Sequence, residues 1–182
     1  RHYSIIDGDE NHLIFGVKRD VTTEHEGEVS TILHDEISEG DMINLSAPVG
    51  GFSIENTERP QLFIGSGVGM TPLVSMFKKA ASLNVPTQMI QAVVTEDERP
   101  FAQKLDSITD NYEQAQLHLH VKDKEGYLEA KELEQYLSEQ PEIYICGGTK
   151  FLHSIINSLK ELNYDMNHVH FETFIPRLSV QV

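Results

Sequence analysis

Two different patterns of hydrophobic and polar positions divide the chain. Up to residue 57 the apolar residues come in short runs broken by polar turns. Arg1–Ile6, His12–Arg19 and Asp41–Leu45 read as strands, with turn signals at Asp7-Gly8-Asp9 and Glu39-Gly40-Asp41. A short helix is predicted near Val29–Asp35, and the polar stretch Ile54–Arg59, closed by Pro60, reads as a linker. From Gln61 onward strand and helix signals alternate. Strands are predicted at Gln61–Ile64, Gln88–Val94, Gln116–Val121, Glu142–Cys146 and His168–Phe171. Helices are predicted between them at Pro72–Leu83, Pro100–Ile108, Leu128–Ser138 and Lys150–Leu162. In the first of these helices Leu73, Val74, Phe77 and Ala81 share one face. Thr71 reads as its N-cap and Pro72 as a first-turn proline.

Alternating strands and helices imply a parallel sheet with helices on both faces, and such sheets bind ligands where the strand order reverses at their carboxyl ends. The expected fold class is α/β. A five-stranded parallel, doubly wound nucleotide-binding domain over residues 58–182 follows a truncated antiparallel β-barrel segment over residues 1–57.

Composition narrows the function classes. The formal net charge of −15 opposes nucleic acid and anionic membranes as partners, so a phosphate-bearing ligand needs local donors working against that field. Cys146 is the single cysteine, which rules out a disulfide within the chain and a four-thiolate iron–sulfur cluster, and favours a reducing, cytoplasmic setting. No apolar run approaches the roughly 20 residues of a membrane span, and no leader signature is visible. The chain opens on Arg rather than Met and reads as a piece of a longer protein.

Five segments carry candidate chemistry. Gly65-Ser66-Gly67-Val68-Gly69-Met70-Thr71-Pro72 joins the first parallel strand to its helix. Its glycines free backbone amides at a helix N-terminus, a setting suited to phosphate, although a plain glycine-rich turn would look the same. Cys146-Gly147-Gly148 ends the fourth strand. In a sheet of order 3-2-1-4-5 it flanks the same crevice, while a lone cysteine after such a strand is often only a small buried residue. Arg1-His2-Tyr3-Ser4 combines a cation, an aromatic ring and a hydroxyl. Gly27-Glu28-Val29-Ser30 is a second phosphate cradle or an ordinary helix cap. Glu172-Thr173-Phe174 either covers a ring system or forms a solvated tail. His118 and His120, and His168 and His170, alternate in pairs. Their strands are placed at opposite edges of the sheet, which disfavours a shared metal.

Taken in order, Arg-x-Tyr-Ser, Gly-x-Val-Ser, Gly-x-Gly-x-Gly-x-Thr-Pro, Cys-Gly and Glu-x-Phe resemble the signature of the ferredoxin–NADP reductase superfamily, across essentially the whole chain. Within it the chain is most similar to the reductase part of bacterial flavohemoglobins, which are nitric oxide dioxygenases. Val17-Lys18-Arg19, Val29-Ser30-Thr31-Ile32-Leu33-His34-Asp35, Leu45-Ser46-Ala47-Pro48-Val49-Gly50-Gly51-Phe52 and Phe171-Glu172-Thr173-Phe174-Ile175-Pro176 carry that likeness.

The resemblance implies an NAD(P)H-dependent FAD oxidoreductase module. Hydride passes from nicotinamide to FAD, and electrons then pass singly to an acceptor. In a flavohemoglobin-like parent the acceptor is haem, held in a domain that this chain does not include. By resemblance Arg1 meets the FAD pyrophosphate, Tyr3 lies on the flavin ring, and Ser4 bonds its reactive nitrogen. Val17 and Lys18 border the flavin, and Gly27, Val29 and Ser30 hold the pyrophosphate. Gly67, Gly69 and Thr71 line the nicotinamide-nucleotide path, Cys146 and Gly147 border the nicotinamide, and Glu172 and Phe174 cover the flavin edge. Tyr3, Ser4 and Glu172 are thus the candidate catalytic residues. Gly148 stands where the family often has Pro, and Ile175 where it often has Gly.

Thr95 and Arg99 are placed to read a ribose or its 2′-phosphate, and the surrounding Glu96, Asp97 and Glu98 tilt the expectation to NADH. A reductase component of another oxygenase, a free flavin reductase, and a nucleotide-binding interaction module without turnover remain alternatives. The barrel segment, short of strands, is expected to expose an open edge that either stays partly mobile or pairs with that of a second copy into a dimer, and the isolated chain is expected to retain little or no FAD.

Overall fold

The computed structural model describes residues 1–21 and 28–174. The chain forms two compact units, Arg1–Gly51 and Phe52–Val182.

In the first unit, β1 (Ile5–Gly8) pairs antiparallel with β2 (Leu13–Phe15), with a register shift between Ile5 and Asp7. The turn between them is closed by the Asp9 carboxylate, which accepts from the amides of Asn11 at 2.7 Å and His12 at 2.9 Å. This is the local bonding that makes Asp a turn residue. α1 (Glu28–Asp35) matches the predicted short helix. The expected strand Asp41–Leu45 does not form. Met42 is 95% exposed, and Ile43 and Leu45 are about half exposed or more. An alternating pattern makes a strand only where a neighbour completes the ladder and a core covers one face, and this stretch has neither.

The second unit is the parallel α/β layer. Its sheet runs β5 (Ala115–Val121), β4 (Thr87–Val93), β3 (Gln61–Ser66), β6 (Glu142–Gly147), β7 (Val169–Thr173), with every neighbouring pair parallel. This is the expected 3-2-1-4-5 order. Side chains alternate across the sheet. Leu62, Ile64, Ile90, Ile143 and Ile145 meet α5 (Ala130–Leu133) and α6 (Thr149–Glu161) through Leu133, Leu152, Ile155 and Leu159. On the opposite face Phe63 packs edge-on to Phe77 of α2 (Met70–Ser82) and stacks on Tyr144 at 5.3 Å between ring centres. Each such buried side chain contributes roughly 1.5–3 kcal/mol of apolar burial, which explains why this half was legible as runs of strand and helix.

Several details depart from the sequence reading. Residues 52–57, grouped with the barrel segment on sequence grounds, pack on the second unit. Phe52 meets Tyr144 edge-on, and the Glu55 amide donates to the Tyr144 hydroxyl at 2.9 Å. Thr71 is not the N-cap of α2. A 3-10 turn over Gly67–Gly69 runs into the helix, Gly69 is the cap, and the Thr71 hydroxyl donates to the Val68 carbonyl at 2.8 Å. The long helix expected at Leu128–Ser138 shrinks to α5 followed by a 3-10 turn over Glu134–Tyr136, because Leu133 and Leu137 both turn inward to the core cluster. A short α4 (Lys122–Glu125) was not foreseen, and α3 (Ala102–Asn111) starts after Phe101. Among the described residues no helix is long and apolar enough to cross a membrane, and no group of three or more His, Cys, Asp or Glu side chains could hold a metal ion.

Candidate nucleotide and flavin site

The carboxyl edge of the sheet is built by backbone more than by side chains. Where β3 ends, Gly67 takes φ +55°, a left-handed conformation natural to glycine, and the space beside its α-carbon is open. Gly69 is the reverse case. A β-carbon there would sit 2.5 Å from the Gly147 nitrogen and closer still to the Cys146 carbonyl. The glycine-rich turn therefore rests directly on the end of β6. Below it, a β-carbon on Gly65 would meet the Met70 sulfur at 2.5 Å and Leu73 at 2.7 Å, so this position keeps α2 tight on the strand. Gly147 in turn is covered by Phe151, 2.6 Å from where its β-carbon would be. Gly65 reads in the sequence only as the start of the glycine-rich segment, with no role of its own, and nothing local in the sequence marks Phe151.

Cys146 and Glu172 are register partners on adjacent strands, as are Gly147 and Thr173. Cys146 is buried, and its thiol is pushed up to about 12, first by burial and then by the charge of Glu172, against one amide bond from Gly147. At neutral pH it is a neutral, compact side chain and not a thiolate nucleophile. Burial also raises the Glu172 carboxyl above its ordinary value. Phe174 follows directly after β7, half-buried. The structure thus brings together Gly67, Gly69, Thr71, Cys146, Gly147, Glu172 and Phe174 at one end of one sheet.

The remaining candidates lie in the first unit. Tyr3 and Ser4 immediately precede β1 and are partly buried. Burial raises the Tyr3 hydroxyl, and the Arg1 charge opposes that shift. Val17 and Lys18 lead into Asp20, and this stretch is tied to α1. The Asp20 amide donates to the Ser30 hydroxyl at 3.1 Å, the His34 Nε2 lies 2.9 Å from the Val17 carbonyl, and Arg19 pairs with Asp35. Ser30 is buried, and Val29 is exposed beside it on the first turn of the helix. Gly27, Ile175 and Pro176 lie outside the described residues.

Arg99 does not face the carboxyl edge as a free cation. Its Nη2 donates to Asp106 of α3 at 3.0 Å and its Nε to Gln91 of β4 at 3.4 Å. Gln91 is fully buried and donates to the Pro100 carbonyl at 2.8 Å. A glutamine set among Met89, Ile90, Ala92 and Val93 was the sequence clue to this anchor. At the amino end of the sheet, His168 Nδ1 and His170 Nε2 bond the two oxygens of buried Glu142 at 2.8 and 2.9 Å. Each imidazole also faces a second carboxylate at 3.7 Å, His168 that of Asp165 and His170 that of Glu55.

A parallel sheet of this order, with a glycine-rich first turn resting on the end of the fourth strand, is the arrangement of a dinucleotide-binding domain. The oxidoreductase NAD-binding domain family matches residues 63–156, just over half of the chain, and the chain belongs to it. It is 30% identical over 199 aligned positions to a flavohemoprotein of Bacillus cereus, covering 100% of this chain and 50% of that protein. Flavohemoprotein B of Dictyostelium discoideum is also 30% identical, over 99% of this chain and 46% of its own length. The chain therefore spans about half the length of these relatives. Among solved structures, the flavohemoglobin-like FAD/NAD-binding domain of a nitric oxide dioxygenase from Vibrio cholerae superposes with a TM-score of 0.86 at 27% identity, over 97% of this chain and 77% of that one. The likeness drawn from the ordered motifs and the α/β fold class are both borne out.

Proposed function

We propose that the chain is the reductase part of an NAD(P)H-dependent flavin oxidoreductase, which draws electrons from NAD(P)H through FAD and passes them to the haem of a flavohemoglobin-like nitric oxide dioxygenase. The observation that carries this reading is the seating of the Gly67–Gly69 turn on Cys146 and Gly147, with Glu172 as the next strand's register partner. That arrangement leaves an open, backbone-lined cradle, free of side chains at Gly67, where a pyrophosphate fits. The first unit fits a second phosphate-bearing cofactor. α1 presents its N-terminal turn and the buried Ser30 next to the 17–20 stretch.

When bound, FAD and nicotinamide supply the redox chemistry, hydride transfer followed by single-electron release. The chain's own residues bind, orient and shield. Amides of the Gly67–Gly69 turn and Thr71 hold the nucleotide phosphates. Cys146, neutral and buried, gives the nicotinamide a small apolar wall and cannot compete as a nucleophile. Glu172, its carboxyl raised by burial, holds a proton more readily than an exposed glutamate and limits the negative charge beside the ring. Arg1, Val29 and Ser30 would hold the FAD phosphates, with Gly27 as the position before them. Tyr3 would stack on the flavin, Ser4 would donate to its reactive nitrogen, Val17 and Lys18 would flank it, and Phe174 would cover it. NADH suits the acidic connection over Glu96–Glu98 better than NADPH.

Titration of the purified chain with ADP and with FAD, followed by calorimetry and by visible spectrum, tests the reading. Expected are saturable ADP binding that is lost in a folded Gly67→Val protein, and flavin bands that bleach on adding NADH. A chain that binds neither ADP nor FAD refutes it.

A further inference from the structure

We propose that Asp106 is a specificity-determining residue for the nicotinamide nucleotide. By holding the Arg99 guanidinium it withholds the only cation of the β4–α3 connection from a ribose 2′-phosphate, and so favours NADH over NADPH. The inference rests on the nucleotide-binding reading above.

In parallel sheets of this order the connection after the second strand reads the adenosine ribose, with an acid accepting from the 2′-hydroxyl or an arginine receiving the 2′-phosphate. Here the second strand is β4, and the connection from Val94 to Phe101 contains three carboxylates, Glu96, Asp97 and Glu98, and a single cation, Arg99. By composition alone the connection could serve either nucleotide. The geometry decides between them. The Arg99 Nη2 bonds the Asp106 carboxylate at 3.0 Å, and its Nε bonds Gln91 at 3.4 Å. Gln91 cannot shift to release it, because it is buried inside the sheet and bonds the Pro100 carbonyl at 2.8 Å. Arg99 and Asp106 together line an open hollow of about 550 Å³ beside residues Ala115 to Leu119 of β5. That hollow lies along the flank of the sheet, short of Val121, where the carboxyl end of β5 is reached. The guanidinium is therefore both turned aside and neutralised. Lys124 from the neighbouring connection is likewise engaged, with Glu96 at 2.6 Å.

The two contacts on Arg99 differ in character. Gln91 is a neutral, buried anchor, whereas Asp106 is about half exposed and supplies the charge. An exposed ion pair of this kind contributes little to folding. Its removal leaves α3 intact yet frees a guanidinium whose fork matches a phosphate group. While Asp106 remains, a 2′-phosphate must displace a carboxylate already in place and then lie close to its charge.

The test compares binding of two probes, ADP and its 2′-phosphorylated form 2′,5′-ADP, to the whole chain by calorimetry at low salt. In the unsubstituted chain ADP is expected to bind more tightly. Asp106→Asn is expected to tighten 2′,5′-ADP by about tenfold while leaving ADP within about twofold, the scale of one gained charge-assisted contact. Two controls separate this from a general change in charge. Asp110→Asn removes an equal charge one turn along α3, and is expected to leave the ratio of the two affinities unchanged. Arg99→Gln added to Asp106→Asn is expected to abolish the gain. An unchanged ratio in folded Asp106→Asn protein, or an equal gain in Asp110→Asn, overturns the assignment. Failure of the unsubstituted chain to bind ADP at all refutes the nucleotide-binding reading itself, and this inference with it.

Discussion

Replacing Gly69 with alanine perturbs the one contact on which the site is built. The added β-carbon would sit 2.5 Å from the Gly147 nitrogen and nearer still to the Cys146 carbonyl. An unstrained carbon–oxygen contact needs roughly 3.3 Å, so one side must give by about 1 Å. β6 cannot easily move, because Cys146 is held in register by Gly65 on one side and Glu172 on the other. The displacement therefore falls on the Gly67–Gly69 turn, the segment assigned to the phosphates. Overpacking of this kind costs roughly 1–3 kcal/mol, equivalent to a fall in melting temperature of about 3–10 °C for a chain of this size. A shift of about 1 Å in the cradle should also weaken ADP binding by roughly tenfold or more. Thermal unfolding and ADP titration measure both effects. Gly148→Ala is the matched control, since a β-carbon there meets nothing within 4 Å. A Gly69→Ala protein that melts within about 1 °C of the parent and binds ADP equally well would refute the claim that this close approach shapes the site.

Four further outcomes are expected. Burial raises the Glu172 carboxyl, so its favourable contribution is present below the ordinary carboxylate range and is lost as pH rises through the folded pKa; Glu172→Gln should therefore raise stability in denaturant at neutral pH and little at about pH 3. Because the Glu172 charge also helps to raise the Cys146 thiol to about 12, the same variant should speed alkylation of Cys146 by iodoacetamide in mildly alkaline buffer, and an unchanged rate counts against their coupling. Burial raises the Glu142 carboxyl, but the bonds from His170 and His168 outweigh it and leave it below its ordinary value. Its contribution is thus present at neutral pH and lost as pH falls through that lowered value, and Glu142→Gln should cost roughly 1.5–3 kcal/mol at neutral pH, less in acid, by urea titration. Gly148 has φ −66°, the angle a proline ring imposes, so Gly148→Pro should stabilise by about 0.4–1 kcal/mol; a loss of stability would show that the Gly148 amide donates a bond.

The second unit was legible because its three central strands are buried on both faces. Leu62-Phe63-Ile64 and Ile143-Tyr144-Ile145 carry no polar residue to disguise them, and the helices between them keep one apolar stripe. Alternation of strand and helix gives the parallel sheet, and the meeting of the glycine turn with Cys-Gly follows once the order 3-2-1-4-5, one of the common doubly wound orders, is taken. The first unit was less legible. Ile6 is its one fully buried large apolar side chain among the described residues, so little tertiary packing fixes which apolar runs become strands, and Asp41–Leu45 remains irregular despite its pattern. Long-range polar pairs were invisible for another reason. Arg99 with Asp106 and Gln91, or Glu142 with His168 and His170, join residues whose proximity depends on the fold, and no local spacing announces them.

Those hidden pairs matter for how the two ends of the sheet work together. β7 is an edge strand, held in the sheet by β6 alone. It carries His170 near its amino end and Glu172 near its carboxyl end, only two residues apart. The His170 ring stacks on Tyr144 at 4.7 Å and bonds Glu142, and His168 bonds the other oxygen of the same carboxylate. An edge strand without such a clamp can slip along its single neighbour, and a slip of one residue would turn the Glu172 side chain to the opposite face. The buried carboxylate at the amino end therefore secures the register Cys146 to Glu172 at the carboxyl end. It costs desolvation to keep a charge there, and the two imidazoles offset that cost. On this argument Glu142→Gln should do more than lower stability. It should also loosen the Cys146–Glu172 pairing, so that the Cys146 thiol alkylates faster even though neither residue of that pair has been changed.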